Sequence, residues 1–94
     1  MTKQTYLVEF IDKENLVIDF YRHGQKKLAT VLAQEKKYFS NEYENFKKYN
    51  SGLYKKLFNK DIKIKVYQTE YETNDDNLVY ENNFIDFLTN TNIA

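Results

Sequence analysis

Cysteine and proline are absent from this 94-residue sequence, which also has only two glycines and one histidine. Without cysteine, the chain has no disulfide, no thiolate nucleophile and no cysteine-based metal site. Because small secreted domains usually depend on disulfides, the sequence predicts a cytoplasmic protein. The absence of proline favours continuous helices and strands.

Long apolar runs are also missing. The first ten residues, MTKQTYLVEF, lack the apolar segment of a signal peptide. No run approaches the roughly 20 residues that a transmembrane helix needs, so we expect no membrane contact. The length predicts a single domain over residues 1–94, in which residues 89–94 form a frayed tail.

Residue types that support catalysis are scarce. His23 is the single histidine, and Ser40 and Ser51 both fall within a predicted helical region. No nucleophile elbow, glycine-rich phosphate loop or zinc-protease motif occurs. His23 is a general base, a partly exposed connector residue between strand and helix, or a helix-entry contact, and the last two interpretations are favoured over the first. We therefore expect no enzyme activity, no cofactor and no metal.

Alternating apolar residues predict an antiparallel hairpin at the start of the chain. Its strands span residues 5–11 and 16–21, and a polar turn at residues 12–15 joins them. Asn15 suits a left-handed position in that turn. On each strand three residues share one face, namely Tyr6, Val8, Phe10, Leu16, Ile18 and Phe20.

A helical pattern follows a predicted break at residues 22–24. Residues 25–39 place apolar and long side chains along one side at helical spacing. These residues are Leu28, Val31, Leu32, Glu35 and Phe39. The helix either stops at residues 40–41, where a capping box restarts it, or continues to Tyr49. Residues 50–52 then end it, and residues 53–59 add one or two short turns.

The clearest alternation occurs in residues 62–72, which predict a strand. Residues 73–77 form a turn, residues 78–80 a short return strand, and residues 83–88 a closing helical turn. The side chains that dock this turn on the core are Phe84, Phe87 and Leu88. Together these elements predict an α+β fold. Its small antiparallel sheet is built from two β-hairpins, a central amphipathic helical segment packs on one face, and a short C-terminal helix follows.

A net charge of zero hides a segregation of charge along the chain. Residues 22–65 carry twelve basic and four acidic side chains, for a net charge of +8. Residues 66–94 carry six acidic side chains and no basic one, for a net charge of −6. Such polarity bears on surfaces and partners rather than on fold. Either the two zones attract each other within one monomer, or they meet partners.

Lysines recur at eleven-residue spacing in the stretch KKYFSNEYENFKKYNSGLYKKL, residues 36–57. On one continuous helix, at about 100° per residue, four lysines fall within about 40° of one another and opposite the apolar stripe. We call them the basic ridge: Lys26, Lys37, Lys48 and Lys55. The ridge is a solvated face, a docking surface for an acidic protein, or a non-specific nucleic-acid-binding surface. Most aromatic residues lie away from it, which disfavours base stacking.

Carboxylates and aromatic residues alternate near the C-terminus. We call this set the acidic zone: Glu70, Tyr71, Glu72, Asp75, Asp76, Tyr80, Glu81 and Asp86. Its spacing does not follow the twelve-residue calcium loop, so we expect no metal there. The zone is either a solubilising edge that protects an exposed strand or a surface that binds a basic partner.

The composition resembles that of small accessory proteins of phages and other mobile genetic elements from AT-rich bacteria. Segments such as NEYENFKKYN and TNDDNLVYENN are rich in Lys, Asn and Tyr, and the chain has a single arginine. Anti-CRISPR inhibitors are among the proteins it resembles. The resemblance covers the whole chain, implies action by binding a host machine rather than by chemistry, and transfers no site residue.

These observations predict a non-enzymatic binding protein, an inhibitor or adaptor encoded by a phage or mobile element. It would dock on a host protein through its charged surfaces, for example on a nucleic-acid-handling effector such as a CRISPR nuclease. The alternative is a nucleic-acid-binding accessory protein that uses the basic ridge. An isoelectric point near 6.6 and the single arginine favour the protein partner.

Overall fold

The computed structural model describes residues 4–50, 52 and 54–89, and it confirms the predicted α+β fold. Four strands form one antiparallel sheet, and a long helix connects its two hairpins. Short 3-10 turns lie at Lys55–Leu57 and Asp75–Asn77. The main elements are β1 (Gln4–Ile11), β2 (Val17–Lys26), α1 (Leu28–Tyr49), β3 (Lys63–Tyr67), β4 (Leu78–Asn83) and α2 (Phe84–Thr89).

The strand order is β2-β1-β3-β4, so β1 and β3 are central and the other two strands are edges. In the β1–β2 turn, Asp12 accepts hydrogen bonds at its Oδ1 from the backbone N–H groups of Glu14 and Leu16, at 2.8 and 3.0 Å. Asn15 has a φ of 64°, which confirms its predicted left-handed conformation. The short turn thereby fixes the pairing of the first hairpin.

The core lies between the helices and one face of the sheet. β1 and β3 contribute Val8, Phe10, Ile64 and Val66, all fully buried. Phe10 packs edge-to-face against Phe39 of α1 and Phe84 of α2, with ring centroids 5.2 and 4.8 Å apart. Such aromatic pairs add stability beyond the area they bury. The predicted docking of Phe84, Phe87 and Leu88 is confirmed.

β2 is longer than the sequence predicts. The predicted break at residues 22–24 is wrong, because the strand runs to Lys26, which pairs with Gln4. The predicted helix start at Gln25 is wrong for the same reason, and α1 begins at Leu28. A β-carbon added at Gly24 would meet no atom within 4 Å, so steric crowding does not require glycine at this position. Pairing with β1 overrides the weak strand propensity of glycine.

The prediction that Leu16, Ile18 and Phe20 share one face is also wrong. Leu16 and Phe20 are exposed, whereas Ile18 and Tyr21 pack against the core. The cause is an irregularity in the hairpin register between Phe10 and Ile11. One extra residue in a strand reverses which side chains face the core beyond that point.

α1 is continuous through residues 40–41 and ends at Asn50 in a left-handed conformation. The N–H of Asn50 donates to the carbonyl of Phe46 at 2.7 Å, which satisfies one of the last free carbonyls. β3 ends at Tyr67, five residues before the predicted end of that strand. Of the predicted tail, Thr89 closes α2 and residues 90–94 lie outside the described residues. Among the helices described, none has the length and apolar character to cross a membrane.

Candidate functional site

The sheet face opposite the helices, which we call the open face, carries ordered cross-strand rows. In one row Arg22, Leu7 and Tyr67 lie side by side on β2, β1 and β3. The next row is Phe20, Glu9, Lys65 and Glu81, which spans all four strands. Because residues directly opposite each other share a face, these rows form one surface. No helix in the described part of the chain supplies a core contact on this side.

The segment between β3 and β4, residues 68–77, folds back beside the open face. Arg22 of β2 donates from its Nε to the carbonyl of Glu70 at 3.1 Å, across 48 residues of sequence. Within the segment, the side chain of Asn74 accepts from the N–H of Asp76 at 3.0 Å. Leu7 and Tyr67 are nearly buried as a result, although no helix covers them. The segment thus forms one wall of a groove.

This outer groove has a volume of about 320 Å³ and opens to solvent. Strand residues form its floor and one wall, and the back-folded segment forms the other wall. It is lined by Leu7, Glu9, Val17, Phe20, Arg22, Tyr71 and Thr73.

Two exposed aromatic rings flank the one arginine of the chain at this groove. Phe20 is 50% exposed and Tyr71 is 75% exposed. The Arg22 guanidinium carbon lies 5.6 Å from the Phe20 ring centroid and 5.7 Å from that of Tyr71. Each exposed cation–π contact stabilises this arrangement by about 0.5–1 kcal/mol. The rings and the guanidinium are therefore held in place while much of their surface faces solvent.

Glu9 brings a carboxyl group to the groove floor. Partial burial raises the pKa of this group, while nearby Lys65 and the side chain of Thr73 act in the opposite direction. Glu9, Asp75 and Glu81 also surround the Tyr67 hydroxyl, whose pKa is raised by burial and by these three carboxylates. A positive group placed here would be attracted to these carboxylates.

The fold gathers only part of the acidic zone at the groove. Glu70, Tyr71, Glu72, Asp75 and Asp76 all belong to the back-folded segment, and each is exposed. Glu81 lies on the open face, with its Oε2 3.7 Å from the Nζ of Lys63. The other two members lie elsewhere, since Tyr80 packs edge-to-face on Phe87 of the core and Asp86 sits in the first turn of α2.

The basic ridge is not a single helix face. Lys26 lies in β2 and donates from its Nζ to Gln34 Oε1 at 2.9 Å. Lys55 lies in a separate 3-10 turn beyond the end of α1. Of the four ridge lysines, only Lys37 and Lys48 lie on α1, and both are exposed. The predicted alignment of four lysines on one helix is therefore wrong, because it required one continuous helix from Lys26 to Lys55, whereas α1 spans Leu28–Tyr49.

Sequence reasoning missed Glu9, Phe20 and Arg22 as groove residues. Phe20 was predicted only to share a face with Leu16 and Ile18, and the strand was predicted to end before Arg22. The available signal was the two-residue spacing of Phe20 and Arg22. In a strand that extends past Tyr21, this spacing places both side chains on one face. The opposite position of Glu9 follows only from the register of the hairpin, which the sequence does not reveal.

His23 lies away from the groove, on the helix side of the sheet. Its Nε2 is 3.0 Å from Glu35 Oε2, and the two side chains are 14% and 9% exposed. The other carboxylate oxygen of Glu35 has no hydrogen-bond partner among the described residues. The pair ties β2 to α1. The interpretation of His23 as a connector residue between strand and helix is wrong, because His23 lies within β2 and pairs with Tyr6. In the described part of the chain, no three potential metal ligands cluster.

Comparison of the chain with protein-family models, with curated proteins and with solved structures finds no match. The function must therefore be argued from the groove and its surroundings.

Proposed function

We propose that this chain is a non-catalytic protein-binding domain whose outer groove docks a basic segment of a partner protein. The observation that carries the proposal is the cluster of Phe20, Arg22 and Tyr71 at the mouth of the groove, with both rings half or more exposed. Aromatic residues and arginine are the residue types that contribute most to binding energy at protein interfaces.

The exposure of these rings supports a binding role. Leu16 and Val17 at the start of β2 are also exposed, and Val17 lines the same groove as Phe20. A soluble domain that leaves neighbouring apolar side chains uncovered commonly uses them as a contact surface. The two rings are already held against Arg22, so docking would order few further side chains.

The surrounding charge favours a basic partner. Against the single guanidinium of Arg22, the groove and the back-folded segment present five carboxylates: Glu9, Glu70, Glu72, Asp75 and Asp76. A lysine or arginine of the partner would reach this rim while its neighbouring apolar side chain entered the groove. Complementary charge of this kind raises association rates and excludes acidic competitors.

The biological role follows from the resemblance to mobile-element accessory proteins. We infer that the chain acts as an inhibitor or adaptor encoded by a phage or mobile element, and that its partner is a host protein. Nucleic-acid-handling proteins expose basic surfaces to bind phosphate, which makes them suitable partners for an acidic groove rim.

Affinity purification from the source organism, with and without nuclease, tests the proposal. The wild-type chain is compared with the double variant Phe20→Ala/Tyr71→Ala and with Tyr49→Ala, a matched loss of an aromatic ring that is 62% exposed on α1. We expect the double variant to lose a nuclease-resistant partner that the Tyr49→Ala variant retains. Loss of its two cation–π contacts should lower the free energy of unfolding of the double variant by about 1–2 kcal/mol, so circular dichroism verifies that each variant remains folded.

Binding of the partner must then be reproduced with both proteins purified. Equal capture by the wild-type chain and the double variant would rule out the groove as the docking site. Capture that disappears on nuclease treatment would favour the second candidate function.

That second candidate is nucleic-acid binding through exposed lysines of α1. Lys37 and Lys48 support it, since both are exposed on the same helix. A fluorescence-anisotropy titration at two salt concentrations distinguishes it, because counterion release demands a steep loss of affinity with salt. Lys37→Gln/Lys48→Gln is the variant that should then lose affinity, and an absence of binding at low salt would exclude this function.

A further inference from the structure

β2 is an edge strand of unusual length. It spans ten residues and, within residues 4–50, 52 and 54–89, pairs only with β1, whereas the opposite edge, β4, spans six residues. Natural edge strands are usually short, or carry prolines and inward charges that prevent pairing with another strand. β2 has no proline and begins with exposed Val17. Its inward-facing charged residue, Asp19, is held within its own strand by the Phe20 N–H and the Tyr21 hydroxyl. The free side of β2 is therefore a template for a further strand.

The outward backbone groups of β2 can be assigned from one hydrogen bond. The N–H of Phe20 donates to the Oδ1 of its neighbour Asp19 at 2.8 Å, so it points away from β1. In antiparallel pairs, hydrogen-bonded and non-hydrogen-bonded positions alternate. Because Phe20 and Arg22 are two residues apart in one continuous register, both present their N–H and C=O groups to the free side.

The sequence around Tyr21 is complementary to a second, antiparallel copy of itself. Two antiparallel copies of Asp19-Phe20-Tyr21-Arg22-His23, centred on Tyr21, place Phe20 opposite Arg22 of the second copy. The same register places Asp19 opposite His23 of the second copy. Both pairs occur twice, as a twofold axis requires.

The chemistry of these opposed pairs is favourable on both faces of the sheet. On the open face, Arg22 already lies 5.6 Å from the Phe20 ring of its own chain, and a second copy would add an equivalent contact from the other side. Opposed β-carbons lie only about 4.5–5.5 Å apart, which suits such a contact. On the helix face, Asp19 Oδ1 would exchange its hydrogen bond with the Phe20 N–H for a position beside the imidazole of His23. Its Oδ2 would keep the Tyr21 hydroxyl, and His23 Nε2 would stay on Glu35.

We propose that β2 pairs antiparallel with β2 of a second copy of this chain, centred on Tyr21. The product is a twofold dimer with one continuous eight-stranded sheet, in which both outer grooves open on the same face. The dimer would offer a partner two equivalent docking sites. This proposal concerns the chain alone and does not depend on the proposed docking function.

A charge-swap experiment on the purified chain tests this register. Phe20→Lys places a lysine opposite Arg22 at both symmetry-related contacts, and Arg22→Glu places a carboxylate opposite Phe20. Each variant alone should raise the dimer dissociation constant by about tenfold or more, because two unfavourable pairs replace two favourable ones. In the mixture, one contact becomes Lys–Glu and the other stays Arg–Phe, so association should return.

Sedimentation velocity over a concentration series that extends to hundreds of micromolar measures these constants. Val79→Lys adds the same charge to the opposite edge strand and should leave association unchanged. Circular dichroism verifies that all variants remain folded, which we expect since Phe20, Arg22 and Val79 are exposed.

Amide hydrogen exchange gives a second readout. The Arg22 N–H should exchange rapidly in dilute solution and become protected as concentration rises. A wild-type chain that stays monomeric at every concentration would overturn the proposal. A mixture of variants that associates no better than either variant alone would do so as well. Because no partner protein is present in these measurements, neither result bears on docking at the groove.

Discussion

Glu35 holds a carboxyl group almost entirely buried between α1 and β2. Burial raises the pKa of this group, while the hydrogen bond and charge of His23, and the charge of Lys26, act in the opposite direction. The pKa of Glu35 in the folded chain lies above the ordinary value of 4.5. The contribution of this carboxyl group to the free energy of unfolding is therefore fully present below about pH 4.5. It is lost as the pH rises through the pKa of the folded state.

The variant Glu35→Gln should therefore remove a pH-dependent loss of stability. We expect its free energy of unfolding to exceed that of the wild-type chain increasingly as pH rises from about 4.5. The amide still reaches His23 but carries no charge to desolvate. Urea denaturation across this pH range measures the difference, and Glu44→Gln is a control because Glu44 makes only an exposed ion pair with Lys47. A difference that stays constant or shrinks with rising pH would contradict this account.

Individual residues show which parts of the groove the sequence predicts. Tyr71 was assigned to a partner-binding surface because it stands among carboxylates, and the structure places it at the groove mouth. Glu9 and Phe20 were not assigned, since their meeting depends on a cross-strand register. A pattern within one strand reports which residues share a face, but it says nothing about the residue opposite.

At the scale of elements, β1 and the start of β3 were predicted to within one residue because apolar residues alternate in both sequences, although β3 ends five residues before its predicted end. β2 was not, because its register shifts near the turn and its last residues are held by pairing with β1. The length of α1 was left open at residues 40–41, where Ser-Asn is typical of both a helix end and a restart. Packing of Phe39 and Phe46 on the core spans this position and favours a continuous helix.

Replacement of the two glycines by alanine should change the stability of the chain in opposite directions. Gly24 lies in β2 with open space around it, so Gly24→Ala should stabilise the chain by about 0.5–1 kcal/mol through the unfolded state. Gly52 has a φ of 131°, which side chains rarely adopt, so Gly52→Ala should destabilise the chain. Urea midpoints of the two variants measure both effects. Destabilisation by Gly24→Ala would show that the residue is the strand break that the sequence suggests.

At the scale of the whole molecule, the charge segregation seen in the sequence persists only in part. The acidic segment lies beside the groove, where Arg22 donates to the Glu70 carbonyl. The basic β3 residues instead meet acidic residues of the neighbouring strands, since Lys63 approaches Glu81 and Lys65 lies near Glu9. The basic residues of α1, in contrast, lie on the helix side. The two proposed functions therefore use different surfaces, which makes them separable by mutation.

Docking at the acidic rim should weaken with salt and with charge removal. The triple variant Glu70→Gln/Glu72→Gln/Asp75→Asn should lower the affinity for the purified partner by about tenfold and reduce its salt dependence. Isothermal titration calorimetry at two salt concentrations measures both quantities. The control variant Lys37→Gln/Lys48→Gln should bind as the wild-type chain does. An effect of the control with none from the triple variant would assign docking to α1 instead.

The central claim is that a protein partner occupies the outer groove on the open face. Hydrogen-exchange mass spectrometry of the chain with and without its purified partner tests it most directly. We predict added protection in β2 and in residues 68–77, with no change in the exposed part of α1 around Lys37 and Lys48. Protection confined to α1, with β2 and residues 68–77 unchanged, would contradict the account.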